Sequence, residues 1–187
     1  GRGAPSSAEL IGHYLDTLIA DADDAVRYHD EDLTAPQDPN EIDARAMERV
    51  VEALNALRMN DPDRVGDWFG RFITTYRASG DVMPAPDAPS RIEMEWVLQQ
   101  GARLLRHPFS RFAWRRCRKG ATLFCNGMDY ALPVREAQQL AALESLDGPT
   151  YAALGEAGRD AVMALAAQGH YQLALDDDDP GLGDEDA

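Results

Sequence analysis

The chain has 187 residues, with 33 acids against 18 Lys and Arg, for a formal net charge of -15. That balance disfavours nonspecific binding to nucleic acid or to an anionic membrane surface. No run of 18 apolar residues offers a membrane span, no charged-then-apolar opening offers a secretory signal, and the first residues, Gly-Arg-Gly, carry no Met. A cytoplasmic fragment of one or two small domains is the expectation.

Residues 1–8 read as an extended lead-in, with Pro5 and Ser6-Ser7 setting up a helix start. Leu10, Ile11, Tyr14, Leu15, Leu18 and Ile19 follow at helical spacing, which buries one face of a helix ending near 22–25. Residues 23–40 are acidic and hold Pro36 and Pro39, a loop composition. A second helix is expected over about 41–59, with Ala46, Val50, Ala53, Leu54 and Leu57 as its stripe. A third starts with Asp61 as N-cap and Pro62 at the first helical position. Its face, Val65, Trp68, Phe69, Phe72, Ile73 and Tyr76, is unusually aromatic. Three such helices make a small bundle, and the same aromatics suit a helical dimer interface. Core and interface remain equally open from pattern alone.

Residues 78–90 are Pro-rich and read as a linker and domain boundary. Ser90 and Glu93 form a capping box for a short helix that Gly101 stops. Then the pattern changes. Residues 96–128 hold no acid and seven bases, and Phe112, Trp114, Thr122, Leu123 and Phe124 are strand formers. Lys119-Gly120 and Asn126-Gly127 are turn candidates, so a meander over 111–118, 121–125 and 128–132 is predicted, with 118 opposite 121 and 114 opposite 125. That register sets Cys117 and Cys125 on opposite faces, as reduced thiols. Helices over 134–146 and 156–168 follow, with a short turn at 150–154. Gly169 ends the last helix, and His170–Leu173 reads as a strand returning to the sheet. The tail from Asp176 has seven acids in twelve residues, a disordered composition. The fold class is therefore mainly α with a small antiparallel sheet (α+β), a helical bundle followed by a winged-helix-like domain. The divisions are 1–78, a linker at 79–89, 90–175, and a tail at 176–187.

No active site emerges from motifs. His13, His29, His107 and His170 sit in no metal-binding spacing, and there is no P-loop, dinucleotide fingerprint or nucleophile elbow. Arg111, Arg115, Arg116, Arg118 and Lys119 form a candidate basic surface, for nucleic acid or an acidic partner, or for charge pairing within the protein or between subunits. The register divides them, Arg111 and Arg115 on one face and Arg116 and Arg118 on the other, which weakens the nucleic-acid reading.

Ala4-Pro5-Ser6 with Glu9-Leu10-Ile11, then Asp67-Trp68-Phe69-Gly70-Arg71-Phe72-Ile73, Pro84-x-Pro86, Phe124-Cys125-Asn126-Gly127 and Gly169-His170-Tyr171 occur in an order and spacing that resemble the C-terminal half of the bacterial JmjC-type ribosomal oxygenases. The resemblance implies a helical dimerisation region over about 6–78, with Tyr14, Leu15, Leu18, Trp68, Phe69, Phe72 and Tyr76 as candidate interface residues, and a winged helix over about 90–175. In that family these parts follow a barrel that binds Fe(II) through a His-x-Asp…His triad and uses 2-oxoglutarate to hydroxylate an arginine of the sixteenth large-subunit ribosomal protein. This chain has no His-x-Asp, so no catalytic, cofactor-binding or metal-binding residue carries over. The alternative is a winged-helix nucleic-acid-binding module.

Overall fold

The computed structural model describes residues 4–22, 42, 44–56, 59–75 and 82–174. The acidic loop expected at 23–40, Leu57, Tyr76 and the acidic tail lie outside the described residues. The fold is α+β, with seven helices and two small antiparallel sheets among the described residues. Two compact units, Gly1–Trp68 and Phe69–Ala187, divide within the third helix.

The first unit is helical. α1 (Ser7–Ala20) begins with a reciprocal cap: Ser6 Oγ accepts from the Glu9 N–H while the Glu9 carboxylate accepts from the Ser6 N–H. α2 spans Ala44–Ala56 and α3 Pro62–Thr75. As expected, Asp61 caps α3, its Oδ1 accepting from the N–H groups of Asp63 and Arg64. Tyr14 ties α1 to the turn before α3 by donating to the Met59 carbonyl at 2.9 Å, and its ring lies 4.8 Å from that of Trp68.

The second unit takes the last residues of α3, then α4 (Arg91–Gln99), β1 (Arg103–Arg106), the meander β2 (Phe112–Cys117), β3 (Gly120–Cys125) and β4 (Met128–Leu132), α5 (Val134–Ala142), β5 (Ser145–Leu146), α6 (Gly148–Ala152), α7 (Glu156–Ala167) and β6 (Tyr171–Ala174). Ser90 and Glu93 form the expected capping box on α4. The core draws Met94 and Leu98 from α4, Leu104 from β1, Leu123 and Cys125 from β3, Leu140 from α5 and Val162 and Leu165 from α7. These positions repeat at three or four residues on the helices and at two on β3, so each element gives the core one face.

The meander forms where expected, but its first two-residue turn sits one position earlier. Cys117 pairs with Gly120 and Phe112 with Cys125, so Arg118 and Lys119 alone make the turn. Gly120 opens β3 at φ +144°, and a Cβ there would stand 2.8 Å from the Leu132 carbonyl oxygen. The shift from the expected register is an even one, so every side chain keeps its predicted face. The Asn126-Gly127 turn has positive φ at both residues, 43° and 87°, the twist that a two-residue hairpin favours.

A second sheet has order β5-β1-β6 and was not expected. The strand at 171–174 pairs with β1, Leu104 opposite Leu173, rather than joining the meander. Leu146, assigned to a helix running to 146, instead faces Leu104 from β5. β1 is the four-residue run Arg-Leu-Leu-Arg; without alternation or a neighbouring hairpin turn, only its distant partners define it.

Candidate interaction surfaces

On α1, Ile11, Leu15 and Ile19 recur every four residues and are all exposed, Ile19 to 71%. On α2, Met47, Val50, Val51 and Leu54 form a second exposed stripe. Helices with this spacing ordinarily turn such residues inward. Contiguous exposed apolar stripes mark surfaces that meet another protein surface. Of the interface candidates, Leu18 and Phe72 are buried, Tyr14 and Trp68 are half-buried, and Leu15 and Phe69 are exposed. Ile11, Ile19 and the α2 stripe were not among those candidates. Ile11 and Ile19 were expected on a buried helix face and Val50 and Leu54 on the α2 stripe, while Met47 and Val51 were not singled out; the structure exposes all six.

The basic residues do not form one patch. Arg115 and Arg116 alternate across β2, and Arg118 and Lys119 are exposed at the turn that follows. Arg116 lies over the Trp114 ring, 5.6 Å from its centroid, while Arg111 uses its backbone N–H to reach Asn126 Oδ1 at 2.8 Å. Strand alternation divides Arg115 from Arg116, whereas Arg111 precedes β2 and Arg118 follows it.

Inside the second unit the titratable groups serve structure. Burial pushes the Cys125 thiol up to about 12, so it stays protonated and unreactive. Burial likewise raises Tyr130 and Tyr171 to about 12. His170, 3% exposed, shares a 2.9 Å hydrogen bond between its Nδ1 and Ser110 Oγ. Burial first, and then the charge of His107, lower its pKa from the ordinary value. The His107 N–H donates to the His170 carbonyl, so the segment after β1 is tied twice to the start of β6. The sequence contained His107 and His170 but no spacing that joined them.

Glu136 of α5 reaches the start of α7, its Oε1 accepting from the Gly155 N–H. Gly158 leaves room for that carboxylate: a Cβ there would clash with Glu136 Oε2. A carboxylate at a helix N-terminus is favourable with the helix dipole.

Among the described residues no three His, Cys, Asp or Glu side chains converge to hold a metal ion, so these residues do not fit the iron site that the resemblance implies for the oxygenases. No described helix is long and apolar enough to cross a membrane.

Comparison with known proteins agrees with this architecture. The chain is 29% identical over 160 residues to the ribosomal protein uL16 3-hydroxylase of Escherichia coli (strain K12), covering 86% of this chain and 41% of that protein. It superposes on the X-ray structure of E. coli ycfD with a TM-score of 0.73 at 25% identity, over 91% of this chain and 45% of that one. A structure of the E. coli ribosomal oxygenase YcfD in complex with cobalt and 2-oxoglutarate matches with a TM-score of 0.69 at 25% identity, over 92% of this chain and 47% of that one. The chain thus spans less than half the length of these relatives. Residues 56–172, more than half of the sequence, match the pattern of the ROXA-like winged helix, so the chain belongs to that family.

Proposed function

We propose that this chain is the C-terminal dimerisation and substrate-positioning portion of a cytoplasmic Fe(II)/2-oxoglutarate-dependent ribosomal oxygenase that hydroxylates an arginine of a large-subunit ribosomal protein. The observation that carries the reading is the pair of exposed apolar stripes on α1 and α2 in a chain similar to under half of a uL16 3-hydroxylase. Burying those stripes against a second copy would remove several large aliphatic side chains from water, each contributing about 1.5–3 kcal/mol when fully covered. The residues assigned to that interface are the sequence candidates Tyr14, Leu15, Leu18, Trp68, Phe69, Phe72 and Tyr76, with Ile11 and Ile19 of α1 added. In the dimer, the helices would hold two catalytic barrels at fixed separation and shape the entrance for the ribosomal protein. Iron and 2-oxoglutarate would supply the oxidative chemistry in the barrel, and the residues of this chain would orient and exclude.

The division of Arg115 and Arg116 between faces supports charge pairing over a nucleic-acid surface. Two measurements test the reading. Sedimentation equilibrium of this chain should give twice 20.5 kDa at micromolar concentration, and a monomer there would overturn the dimer. The native protein, isolated from its source, should exceed 20.5 kDa and carry about one iron per chain; an iron-free product of this mass would overturn the oxygenase reading.

A further inference from the structure

A cleft of about 130 Å³ lies between α4, α6 and α7, walled by Leu98 and Glu95 of α4, Gly148 and Tyr151 of α6 and Arg159 of α7. None of its lining residues belongs to the apolar stripes or to β2. Its floor is fixed by a close approach: a Cβ at Gly148 would stand 2.5 Å from the Leu98 carbonyl oxygen, so α6 is pressed onto the end of α4.

Two donors on this wall lack an acceptor. Tyr151 Oη and Arg159 Nε are shut off from solvent, and neither donates a hydrogen bond to a described residue, although the Arg91 guanidinium approaches Tyr151 Oη as a donor. A buried donor left unpaired is unfavourable, so the arrangement favours an acceptor brought from outside. The nearby charges are otherwise committed. Arg91 holds Glu95 at 3.6 Å and Asp160 at 3.2 Å, and Asp147 caps α6 by accepting from the Thr150 N–H at 2.9 Å. Arg159 forms no ion pair with a described acid, which is notable in a protein of net charge -15. Burial raises the Tyr151 hydroxyl above the ordinary phenol range, with Arg91 opposing, so Tyr151 remains a donor.

We propose that this cleft binds a single carboxylate group, held by the Arg159 guanidinium and the Tyr151 hydroxyl. The group must be acceptor-only to satisfy two donors, and planar to meet a guanidinium fork. It must also be small enough for a cleft of about 130 Å³. A free short-chain acid and the side chain of an acidic peptide both present that chemistry.

The test is amide and Arg Nε–Hε NMR of the full chain, titrated with acetate at constant ionic strength. Saturating shifts at Gly148, Ala152 and Arg159 are expected, with a Kd on the order of 10 mM for so small a ligand. Tyr151→Phe should weaken binding about tenfold, the size of one hydrogen bond to a charged group. Arg159→Gln should abolish saturation, and Arg159→Lys should restore part of it. Linear shifts in the wild type, or saturation unchanged in Tyr151→Phe and Arg159→Lys, would overturn the site; those two variants keep the test decisive where Arg159→Gln fails to fold. Phosphate binding more tightly than acetate at the same residues would overturn the carboxylate assignment. N-acetyl-aspartate N-methylamide separates the sources: shifts matching acetate identify a peptide side chain, and shifts with acetate alone identify a free acid.

Discussion

The bare Cα of Gly70 faces the ring of Phe124, so closely that a Cβ on Gly70 would overlap the ring edge. β3 is thereby buried on both faces. Ala121, Leu123 and Cys125 point into the main core, and Phe124 points the other way, against α3. A Phe124 ring that is 1% exposed has nowhere to retreat. Gly70→Ala should therefore destabilise the second unit by about 1–3 kcal/mol, the usual cost of overpacking, in spite of alanine's better helix propensity. Urea denaturation checks this; a neutral or stabilising result would show that the ring can move aside.

The Asn126-Gly127 turn is held from below. Thr74 Oγ1 accepts from the Gly127 N–H at 3.0 Å, and Thr74 is buried. Gly127→Ala meets two costs, φ +87° and a Cβ 2.8 Å from Thr75 Cγ2. A loss of about 1–2 kcal/mol is expected from the left-handed conformation alone. Asn126→Gly keeps the positive φ but removes the acceptor of the Arg111 N–H, so a loss of about 1 kcal/mol is expected by the same denaturation.

The Ser110–His170 pair predicts a pH dependence. The folded-state pKa of His170 lies below its ordinary value of 6.5, so the unfolded chain binds the proton more readily. Stability from this group is therefore full at pH above 6.5 and falls as pH drops toward the folded value. Glu93 and Asp147 are shifted down from 4.5 and 3.8 by their capping hydrogen bonds, so their losses lie in a lower window. Thermal melts between pH 7.5 and 5.5 should show a declining midpoint that flattens in His170→Gln. An equally steep decline in that variant would place the titrating group elsewhere.

Asp147 caps α6 through the Thr150 N–H, and hydrogen bonds from Thr150, its side chain first and then its backbone, lower the Asp147 pKa. Asp147→Ala should cost about 1 kcal/mol and Asp147→Asn much less, since asparagine also caps. Equal losses would mean that charge, not the hydrogen bond, is what matters there.

For the proposed dimer, Ile11→Asp with Ile19→Asp should yield a monomer that keeps its helical circular dichroism. Both side chains are mostly exposed within the chain, so the substitution removes little internal packing. A dimer unchanged in mass would move the interface away from α1.

Much of the fold was readable because its signals are local. The Ser90–Glu93 capping box, Asp61 and Pro62 at the start of α3, and Asn126-Gly127 between two strands each act within four residues, and all three stand where expected. The first hairpin turn was misplaced because Lys119-Gly120 offers two turn positions of similar quality. The choice went to the one that puts Gly120 against the Leu132 carbonyl, on a strand that the turn itself does not contact.

The sequence alone determined most helices, the meander with its strand alternation and the charge division along the chain, because propensity, capping and alternation are properties of neighbouring residues. Tertiary structure decided the rest. β1 became a strand only through Leu146 and Leu173, His170 met Ser110 across 60 residues, and Tyr151 met Arg159 in a cleft whose third wall is α4. Exposure was decided there too: Leu18 and Ile19 are adjacent apolar residues on one helix, one 1% and the other 71% exposed. The physical reason is common to all four. Burial and long-range pairing depend on what the rest of the chain brings alongside, and no local pattern encodes a partner that distant.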